Sequence, residues 1–225
     1  MIEIYTGFVG SGKSFHAVKR GVQVADAPFG DGWVVANFPI KPKKSFLSRL
    51  PIIGRFVKSK ELKSRWIFKE NDEMTVDYLV NKSVDMGWYG KENSALLLVD
   101  EAGILFNSRD WNVKPDERKK WIKFLSQSRK FGYNVVFIAQ DARMIDRQIR
   151  SLAEYEVQHK KMNSYSIFRF LPFTFFACIS FWNGARNVRG GASFCVYTKA
   201  VADRYDTMGL FDFGKDELEG LIEKS

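Results

Sequence analysis

The stretch Gly7-Phe8-Val9-Gly10-Ser11-Gly12-Lys13-Ser14 decides the fold of this 225-residue chain. Its spacing, G-x-x-x-x-G-K-S, is typical of a loop that binds phosphate groups between a strand and a helix. A short apolar run, residues 2–6, comes directly before the loop, and apolar residues at helical spacing follow it to about residue 26. Because the match lies where that structure requires it, we interpret the stretch as a phosphate loop and not as a chance glycine-rich turn.

Each residue type in the loop suits the binding of ATP. Glycines let the backbone wrap closely around a triphosphate, so that main-chain N–H groups face the phosphate oxygens. The helix that follows presents the positive end of its dipole to the same group. Lys13 is expected to reach the β- and γ-phosphates, and the Ser14 hydroxyl is expected to bind Mg²⁺. The predicted nucleotide-binding residues are Gly7, Gly10, Ser11, Gly12, Lys13 and Ser14.

A second motif is an unbroken apolar run, residues 95–99, that ends in the two carboxylates of Asp100 and Glu101. Such a run is typical of a central parallel strand that is covered on both faces. Ligands of α/β proteins bind at the carboxyl edge of the sheet, which is where these side chains would lie. We therefore predict that Asp100 holds Mg²⁺ through its water shell. Glu101 is predicted to be the catalytic base that orients and deprotonates the attacking water.

Another apolar run, residues 134–139, is followed by Gln140 and Asp141. We predict that Gln140 contacts the γ-phosphate or the attacking water; the alternative is that the pair caps a helix. In ring-forming ATPases an arginine of a neighbouring subunit neutralises charge on the transferred phosphoryl group. The arginines near this run are Arg129, Arg143, Arg147 and Arg150. We take Arg129 as the catalytic candidate beside Lys13, with an ordinary surface arginine as the alternative.

The composition is that of an ordinary globular protein, with 45% hydrophobic and 27% charged residues. The formal net charge of +9 favours an anionic partner, either nucleic acid or an acidic membrane surface; a basic protein without such a partner is the alternative. The segment 41–65 mixes basic and apolar residues. It is expected either to contact an anionic membrane or a nucleic-acid backbone, or to be a solvated excursion that packs on the domain.

The chain has two cysteines, Cys178 and Cys195, and two histidines, His16 and His159. Without a C-x-x-C pair, we expect reduced packing residues of a cytosolic protein and no disulfide. The histidines are far apart in sequence and lack ligand-like spacing, so no transition-metal site is predicted, and His16 is expected to be an ordinary helix residue. The phosphate loop begins too early for a leader peptide, and the longest apolar stretch, residues 170–182, is too short to cross a membrane. No transmembrane segment is predicted.

The order of strand, loop, helix and strand up to residue 37 is a βαβ unit, which implies an α/β fold with a central parallel sheet. A helix is predicted over residues 115–131. Side chains alternate over residues 173–182, and a second strand over 193–199 would complete a C-terminal β-hairpin extension, with the glycine pair at 190–191 in the loop and the two cysteines nearly opposite. We expect a core over 1–162, with a basic insertion at about 41–65. A β-rich extension over 163–225, ending in a short acidic helix from about 215, would pack on the same domain.

Several stretches together resemble the zonula occludens toxin-like family, the assembly ATPases of filamentous phages. They are residues 7–14, 34–39, 97–102, 128–141 and 202–207, and the resemblance covers about residues 1–210. It implies a RecA-like P-loop NTPase related to HerA/FtsK-type motors, with ATP and Mg²⁺ as cofactors. By matched position, Lys13 and Ser14 would bind nucleotide and metal, while Asp100 and Glu101 would serve metal and water.

The resemblance also implies a setting. Family members sit at the inner face of the host cell membrane, and we expect this chain to form a homo-oligomeric ring, with a hexamer favoured. Such proteins use ATP to extrude phage DNA or a DNA–protein complex while coat and membrane assembly proteins are added. Many continue into a transmembrane helix and an outer domain, and the sequence given stops before either. We expect it to be either the cytoplasmic portion of a longer protein or a member that reaches the membrane through a partner. The 41–65 segment would then be a membrane or coat-protein contact.

Other functions stay open at this point. A DNA packaging or mobilisation ATPase of the HerA/FtsK type would work away from membranes. A scaffold would bind nucleotide without turnover, although Glu101 argues against it because such a protein needs no positioned base. A secreted effector is disfavoured because neither a secretion signal nor a disulfide framework is found. Kinase activity would need an acceptor-binding or lid motif, and the sequence contains no obvious one.

Overall fold

The computed structural model describes residues 1–27, 30–41, 65–107, 115–165, 172–183 and 185–205. The strands are β1 (Ile2–Thr6), β2 (Trp33–Ala36), β3 (Trp66–Phe68), β4 (Ala95–Val99), β5 (Tyr133–Ile138), β6 (Tyr155–Lys161), β7 (Phe175–Trp182) and β8 (Ala185–Val196). The α-helices are α1 (Lys13–Ala25), α2 (Val76–Asp85), α3 (Ala102–Leu105), α4 (Pro115–Ser126), α5 (Arg147–Ser151) and α6 (Lys199–Ala202). Short 3₁₀ turns cover Ala142–Met144 and Met162–Ser164.

One eight-stranded sheet joins all these strands, in the order β3-β2-β4-β5-β1-β6-β7-β8. The pairs from β3 to β6 are all parallel, whereas β7 and β8 are each antiparallel to the strand before them. The C-terminal hairpin therefore extends the same sheet. Because β5 lies between β1 and β4, the ends of these three neighbouring strands meet at one carboxyl edge.

Helices cover both faces of the parallel strands, which explains why β1 and β4 are buried at every position. On one face, Leu79 of α2, Phe124 of α4 and Ile149 of α5 pack in one core cluster against the sheet. On the other face, Ala17 and Val18 of α1 belong to a second core cluster. The predicted α/β class with a central parallel sheet is confirmed.

β1, α1, β2, β4 and β5 lie within a residue or two of where the pattern predicts them, whereas α4 does not. That helix ends at Ser126, whereas the apolar pattern predicted it to about residue 131. The following residues form successive turns instead, in which Lys130 N–H donates to the Gln127 carbonyl and Gly132 N–H to the Arg129 carbonyl. Gly132 then adopts a φ of +80°, which turns the chain into β5.

The prediction for the last strand was wrong in its limits. β8 begins at Ala185 and runs through Gly190 and Gly191, which were predicted to lie in the connecting loop. In the resulting register, Cys178 pairs with Ser193 and Phe176 with Cys195, so the two cysteines are diagonal neighbours and not opposite each other. Both are buried free thiols.

Two predictions fall outside the described residues, namely the structure of most of the 41–65 segment and the acidic helix from about residue 215. No helix within the described ranges is long and apolar enough to cross a membrane.

Candidate active site

The phosphate loop follows β1 and leads directly into α1. Gly7, Gly10 and Gly12 have φ values of +141°, +75° and +93°, which side-chain-bearing residues rarely adopt. Two of them also have no room for a side chain. A Cβ on Gly7 would lie 2.5 Å from the His159 carbonyl oxygen, and a Cβ on Gly12 would lie 2.5 Å from the Phe176 ring. The glycines of the motif are therefore required by backbone conformation and by packing on β6 and β7.

Polar groups converge on the inside of this loop. Lys13 is 8% exposed, and its Nζ donates hydrogen bonds to the carbonyls of Gly7 (2.8 Å) and Phe8 (3.1 Å). Burial lowers the pKa of Lys13, while the charges of Glu101 and Asp100 raise it. The buried Ser11 Oγ has no hydrogen-bond partner among the described residues. An unpartnered hydroxyl beside a buried cation is what a phosphate-binding loop offers to its ligand.

Asp100 follows the last residue of β4 and lies 9% exposed at the edge of the sheet. The Asn37 side chain, from the end of β2, holds its backbone on both sides. Asn37 Nδ2 donates to the Asp100 carbonyl at 2.8 Å, and Asn37 Oδ1 accepts from the Asp100 N–H at 2.7 Å. These two buried hydrogen bonds fix the backbone position from which the Asp100 side chain extends. No local pattern indicated this role for Asn37, which entered only as part of the family resemblance.

Glu101 lies immediately after Asp100 and is the N-cap residue that precedes α3. Its φ and ψ are both +46°, in the left-handed region that is costly for a residue with a side chain. Its N–H donates to Asp100 Oδ1 at 2.9 Å. Burial raises the pKa of Glu101, the Asp100 charge raises it further, and the Lys13 charge lowers it. The strained turn thus places Glu101 within electrostatic reach of both Asp100 and the phosphate-loop lysine.

Tyr205 reaches the same place from the far end of the chain. Its hydroxyl donates to Asp100 Oδ2 at 2.7 Å, and a side-chain hydrogen bond also joins it to Ser14. Burial and the Asp100 charge both raise the pKa of Tyr205, so the phenol stays protonated and can donate. The sequence showed Tyr205 only as part of the family resemblance. Its chemistry could not be found because Tyr205 is 105 positions away from Asp100.

Two hydrogen bonds hold the backbone next to Tyr205. The N–H of Lys41 donates to the Arg204 carbonyl at 2.8 Å, and Arg204 Nε donates to the Lys41 carbonyl at 3.0 Å. The Arg204 guanidinium also forms an ion pair with Asp26 at the end of α1. The Tyr205 ring packs edge-on against Phe38, with 5.0 Å between ring centroids. The position of the Tyr205 hydroxyl is thus fixed by residues next to the site and not by Asp100 alone.

Gln140 lies at the exit of β5, on the strand beside the loop strand, as predicted. Its carbonyl accepts a hydrogen bond from the Gly7 N–H at 3.2 Å, and its side chain is exposed. Gln140 and the phosphate loop line one cleft of about 640 Å³. Asp141 serves the alternative role considered for the pair, because its carboxylate accepts from the Arg143 N–H and caps the short helical turn that follows.

The structure does not bring Arg129 to the phosphate loop of its own chain. Arg129 precedes β5, at the opposite edge of the sheet from Asp100, and its guanidinium pairs with Glu92 at 3.0 Å. Its part in a neighbouring subunit's site stays a prediction. Arg143, by contrast, lines the cleft beside the loop.

The two histidines, expected to be unrelated because they are far apart in sequence, are in contact. His16 Nδ1 and His159 Nε2 are 2.8 Å apart, although 143 positions separate the residues. Their contact follows from the parallel pairing of β1 with β6, which places His159 under the start of α1. His16 lies in α1 as expected, and its contact with His159 is a feature that the sequence did not indicate.

The residues at this edge fit a magnesium-bound nucleotide. Mg²⁺ prefers oxygen ligands, and the Ser14 hydroxyl and the Asp100 carboxylate face one shared position, because Tyr205 bonds to both. The loop supplies Lys13 and the unpartnered Ser11 hydroxyl for phosphate oxygens. Phosphate loop, paired carboxylates and strand order together define a P-loop NTPase of the RecA-like class.

The chain belongs to the family described as Zonular occludens toxin (Zot), which it matches over residues 1–201. It is 30% identical over 159 residues to the Gene 1 protein of Enterobacteria phage fd, covering 70% of this chain and 41% of the phage protein. It is 31% identical over 169 residues to the Gene 1 protein of Salmonella phage IKe, covering 74% of this chain and 42% of that protein. The chain thus spans about two fifths of the length of the curated relatives it matches.

Solved structures agree with the fold. A DnaB-like replicative helicase has a TM-score of 0.55 at 13% identity, covering 91% of this chain and 58% of that chain. A second solved structure, of an ATPase domain, has a TM-score of 0.54 at 11% identity, covering 91% of this chain and 84% of that chain. At such low identity these likenesses establish the RecA-like fold and nothing finer.

Proposed function

We propose that this domain binds ATP with Mg²⁺ at the phosphate loop and hydrolyses it, and that hydrolysis drives the assembly and export of filamentous phage. The observation that carries the proposal is the juxtaposition of Glu101, Asp100 and Lys13 at one sheet edge. A nucleotide-binding scaffold has no use for a carboxylate base that is held in a strained backbone conformation beside the phosphate-binding lysine.

Each residue then has a defined part. The backbone of the loop and Lys13 hold the β- and γ-phosphates, while Ser14 and Asp100 hold Mg²⁺, directly and through water. The ion, when bound, neutralises charge on the phosphate oxygens. Glu101 accepts the proton of a water whose oxygen attacks the γ-phosphorus, as the bond to the β-phosphate oxygen breaks and ADP leaves. Gln140, from β5, orients that water or contacts the γ-phosphate.

The setting of this reaction is part of the proposal. Membership of the Zot family and the likeness to phage Gene 1 proteins support a role in phage assembly. We place the domain in the host cytoplasm, at the inner face of the membrane, as a ring that is most simply a hexamer. Arg129 would reach a neighbouring subunit's nucleotide in such a ring. The partners would be phage DNA or its protein complex, coat or membrane assembly proteins, and anionic lipid at segment 41–65.

The test is the rate of ATP hydrolysis as a function of protein concentration, with and without single-stranded DNA and anionic vesicles. A ring that completes its sites between subunits predicts a rate per subunit that rises steeply with concentration. Glu101→Gln should abolish turnover and retain nucleotide binding. Glu73→Gln is the matched control, because Glu73 is exposed and its i,i+4 ion pair with Lys69 is of little energetic weight. Negligible hydrolysis under every condition, with tight nucleotide binding, would leave only the scaffold.

A second candidate is a DNA packaging or mobilisation ATPase that works away from membranes. The net charge of +9 favours it, because a basic surface attracts nucleic acid irrespective of lipid. Stimulation of hydrolysis by DNA alone, unaffected by vesicles or coat protein, would select this function. Stimulation that requires anionic vesicles would select the membrane-bound motor.

A further inference from the structure

Beneath the phosphate loop, three side chains with metal-binding atoms meet. They come from three separate elements: His16 from α1, His159 from β6 and Cys178 from β7. His16 Nδ1 lies 2.8 Å from His159 Nε2 and 3.6 Å from Cys178 Sγ, and the three ligand atoms all lie within 4.8 Å of one another. His159 is 2% exposed and Cys178 is 1% exposed, so this is a buried cluster and not a surface coincidence.

The surroundings orient the two imidazoles. His159 Nδ1 lies 3.0 Å from the Val157 carbonyl oxygen, to which it donates, so that Nε2 points at His16. A ring N–H that donates to a backbone carbonyl is the usual outer support of a metal-binding histidine. The Tyr5 ring stacks on His16, with 4.9 Å between centroids and 10° between planes, and lies 4.8 Å from the His159 ring. Both rings are thereby held against rotation.

The donor atoms suit a transition-metal ion. A neutral imidazole binds a metal through the ring nitrogen that carries no proton, and a cysteine binds as the thiolate, so metal binding would release the Cys178 proton to solvent.

The three donor atoms are spaced closely enough to be brought around one ion by small shifts. With Zn–N bonds of about 2.0–2.1 Å and a Zn–S bond of about 2.3 Å, tetrahedral geometry separates two nitrogens by about 3.3 Å and nitrogen from sulfur by about 3.6 Å. The distance from Cys178 Sγ to His16 Nδ1 is already 3.6 Å. Cys178 Sγ lies within 4.8 Å of His159 Nε2, and this pair would reach about 3.6 Å around the ion. The two imidazole nitrogens, at 2.8 Å, would move apart by about half an ångström as the ion replaces their shared proton.

We propose that His16, His159 and Cys178 form a binding site for one transition-metal ion of the Zn²⁺ class, with a fourth position left for another ligand. Two imidazoles and a thiolate form a donor set that binds such borderline ions in preference to Mg²⁺ or Ca²⁺. The ion would join α1 to β6 and β7 directly below the phosphate loop. Its role is to hold together the elements on which Gly7 and Gly12 pack, through His159 and Phe176. The site is independent of ATP hydrolysis.

The test uses the untagged full chain, stripped with a chelator, kept reduced and titrated with Co²⁺ as a spectroscopic probe of the Zn²⁺ site. We expect one Co²⁺ per chain, a thiolate-to-cobalt charge-transfer band in the near ultraviolet, displacement by Zn²⁺ and a higher midpoint of thermal unfolding with metal. Cys178→Ser should abolish the band and weaken Co²⁺ binding by more than about 100-fold. Loss of a residue that only supports a ligand typically weakens metal binding by about 10–100-fold, and loss of a ligand itself should weaken it further. His16→Gln should weaken binding similarly.

Cys195→Ser is the matched control, because Cys195 is the other buried thiol and lies on the next strand. It should leave both the band and the affinity unchanged. Thermal unfolding of each variant in chelator shows which of them are folded and can be compared. Binding without a thiolate band, binding unchanged by Cys178→Ser in a folded protein, or no binding of either ion by the unaltered chain would overturn the proposal.

Discussion

Replacing Tyr205 with phenylalanine removes one hydroxyl group from the proposed metal site and leaves the ring in place. That hydroxyl donates to Asp100 Oδ2 at 2.7 Å and is also hydrogen-bonded to Ser14. These are the two residues that are proposed to hold Mg²⁺. The tyrosine therefore competes with the ion, since Ser14 and Asp100 must leave the phenol before they can serve the metal and its water shell. We expect Tyr205→Phe to bind Mg²⁺ with nucleotide more tightly.

The size of the effect follows from the bond that is lost. A hydrogen bond to a charged group contributes about 1.5–3 kcal/mol, and the lower end applies at an edge that is partly open to water. A difference of about 1.5 kcal/mol corresponds to about a tenfold change in affinity. The assay is a titration of a fluorescent ATP analogue at several Mg²⁺ concentrations and again in excess chelator. The tenfold gain should appear with Mg²⁺ and be absent in chelator.

Tyr197→Phe is the control, because it also removes one tyrosine hydroxyl. Tyr197 stacks on Phe15 of α1, the helix that carries Ser14, and is 43% exposed. It should change neither titration. An unchanged or weaker Mg²⁺ dependence in folded Tyr205→Phe would refute the reasoning, and would mean that Tyr205 positions Asp100 for the metal.

Three further predictions concern the same edge of the sheet. Asn37→Ala removes both hydrogen bonds to the Asp100 backbone, and we expect it to lower the free energy of unfolding, measured in urea, by about 2–4 kcal/mol. The control is Asn81→Ala, at an exposed position, which should leave the free energy of unfolding nearly unchanged. Equal effects of the two substitutions would contradict the role of Asn37 in holding Asp100. Gly12→Ala would put a side chain where φ is +93° and where a Cβ would meet the Phe176 ring. We expect it to lower the free energy of unfolding by about 1–3 kcal/mol and to abolish most nucleotide binding. Full nucleotide binding by the variant would contradict the tight fit. Burial raises the pKa of Glu101, and a base acts only when it is deprotonated. As the pH is lowered, we therefore expect the hydrolysis rate to fall with a midpoint pH above the ordinary pKa range of glutamate. A pH–rate profile whose acid limb has its midpoint at or below that range would contradict this.

The parts of the site that sequence alone predicted are those whose chemistry lies in a contiguous stretch. The loop from Gly7 to Ser14 and the strand that ends in Asp100 and Glu101 carry their residue types at fixed spacing. The strand order then brings them to one edge. Gln140 was placed correctly at a strand exit because parallel strands share that edge. Local spacing and sheet topology were sufficient for this much.

What the sequence could not provide are contacts set by long-range packing. Tyr205 meets Asp100 across 105 positions, and His16 meets His159 across 143 positions. No local pattern relates these pairs. The limits of β8 were mispredicted for a different reason. A Gly-Gly pair is typical of a turn, but here Gly191 pairs with Ser180 of β7 and Gly190 lies at a register shift within the strand.

The central claim is that Glu101 is the base of a P-loop ATPase. The most direct test is the rate of phosphate release in a single turnover, with protein in excess of ATP and Mg²⁺ present, for the unaltered chain and for Glu101→Gln. We expect a rate about 10²–10⁴-fold lower in the variant, as for loss of a general base, with nucleotide affinity retained. A variant that releases phosphate at the original rate would contradict the claim.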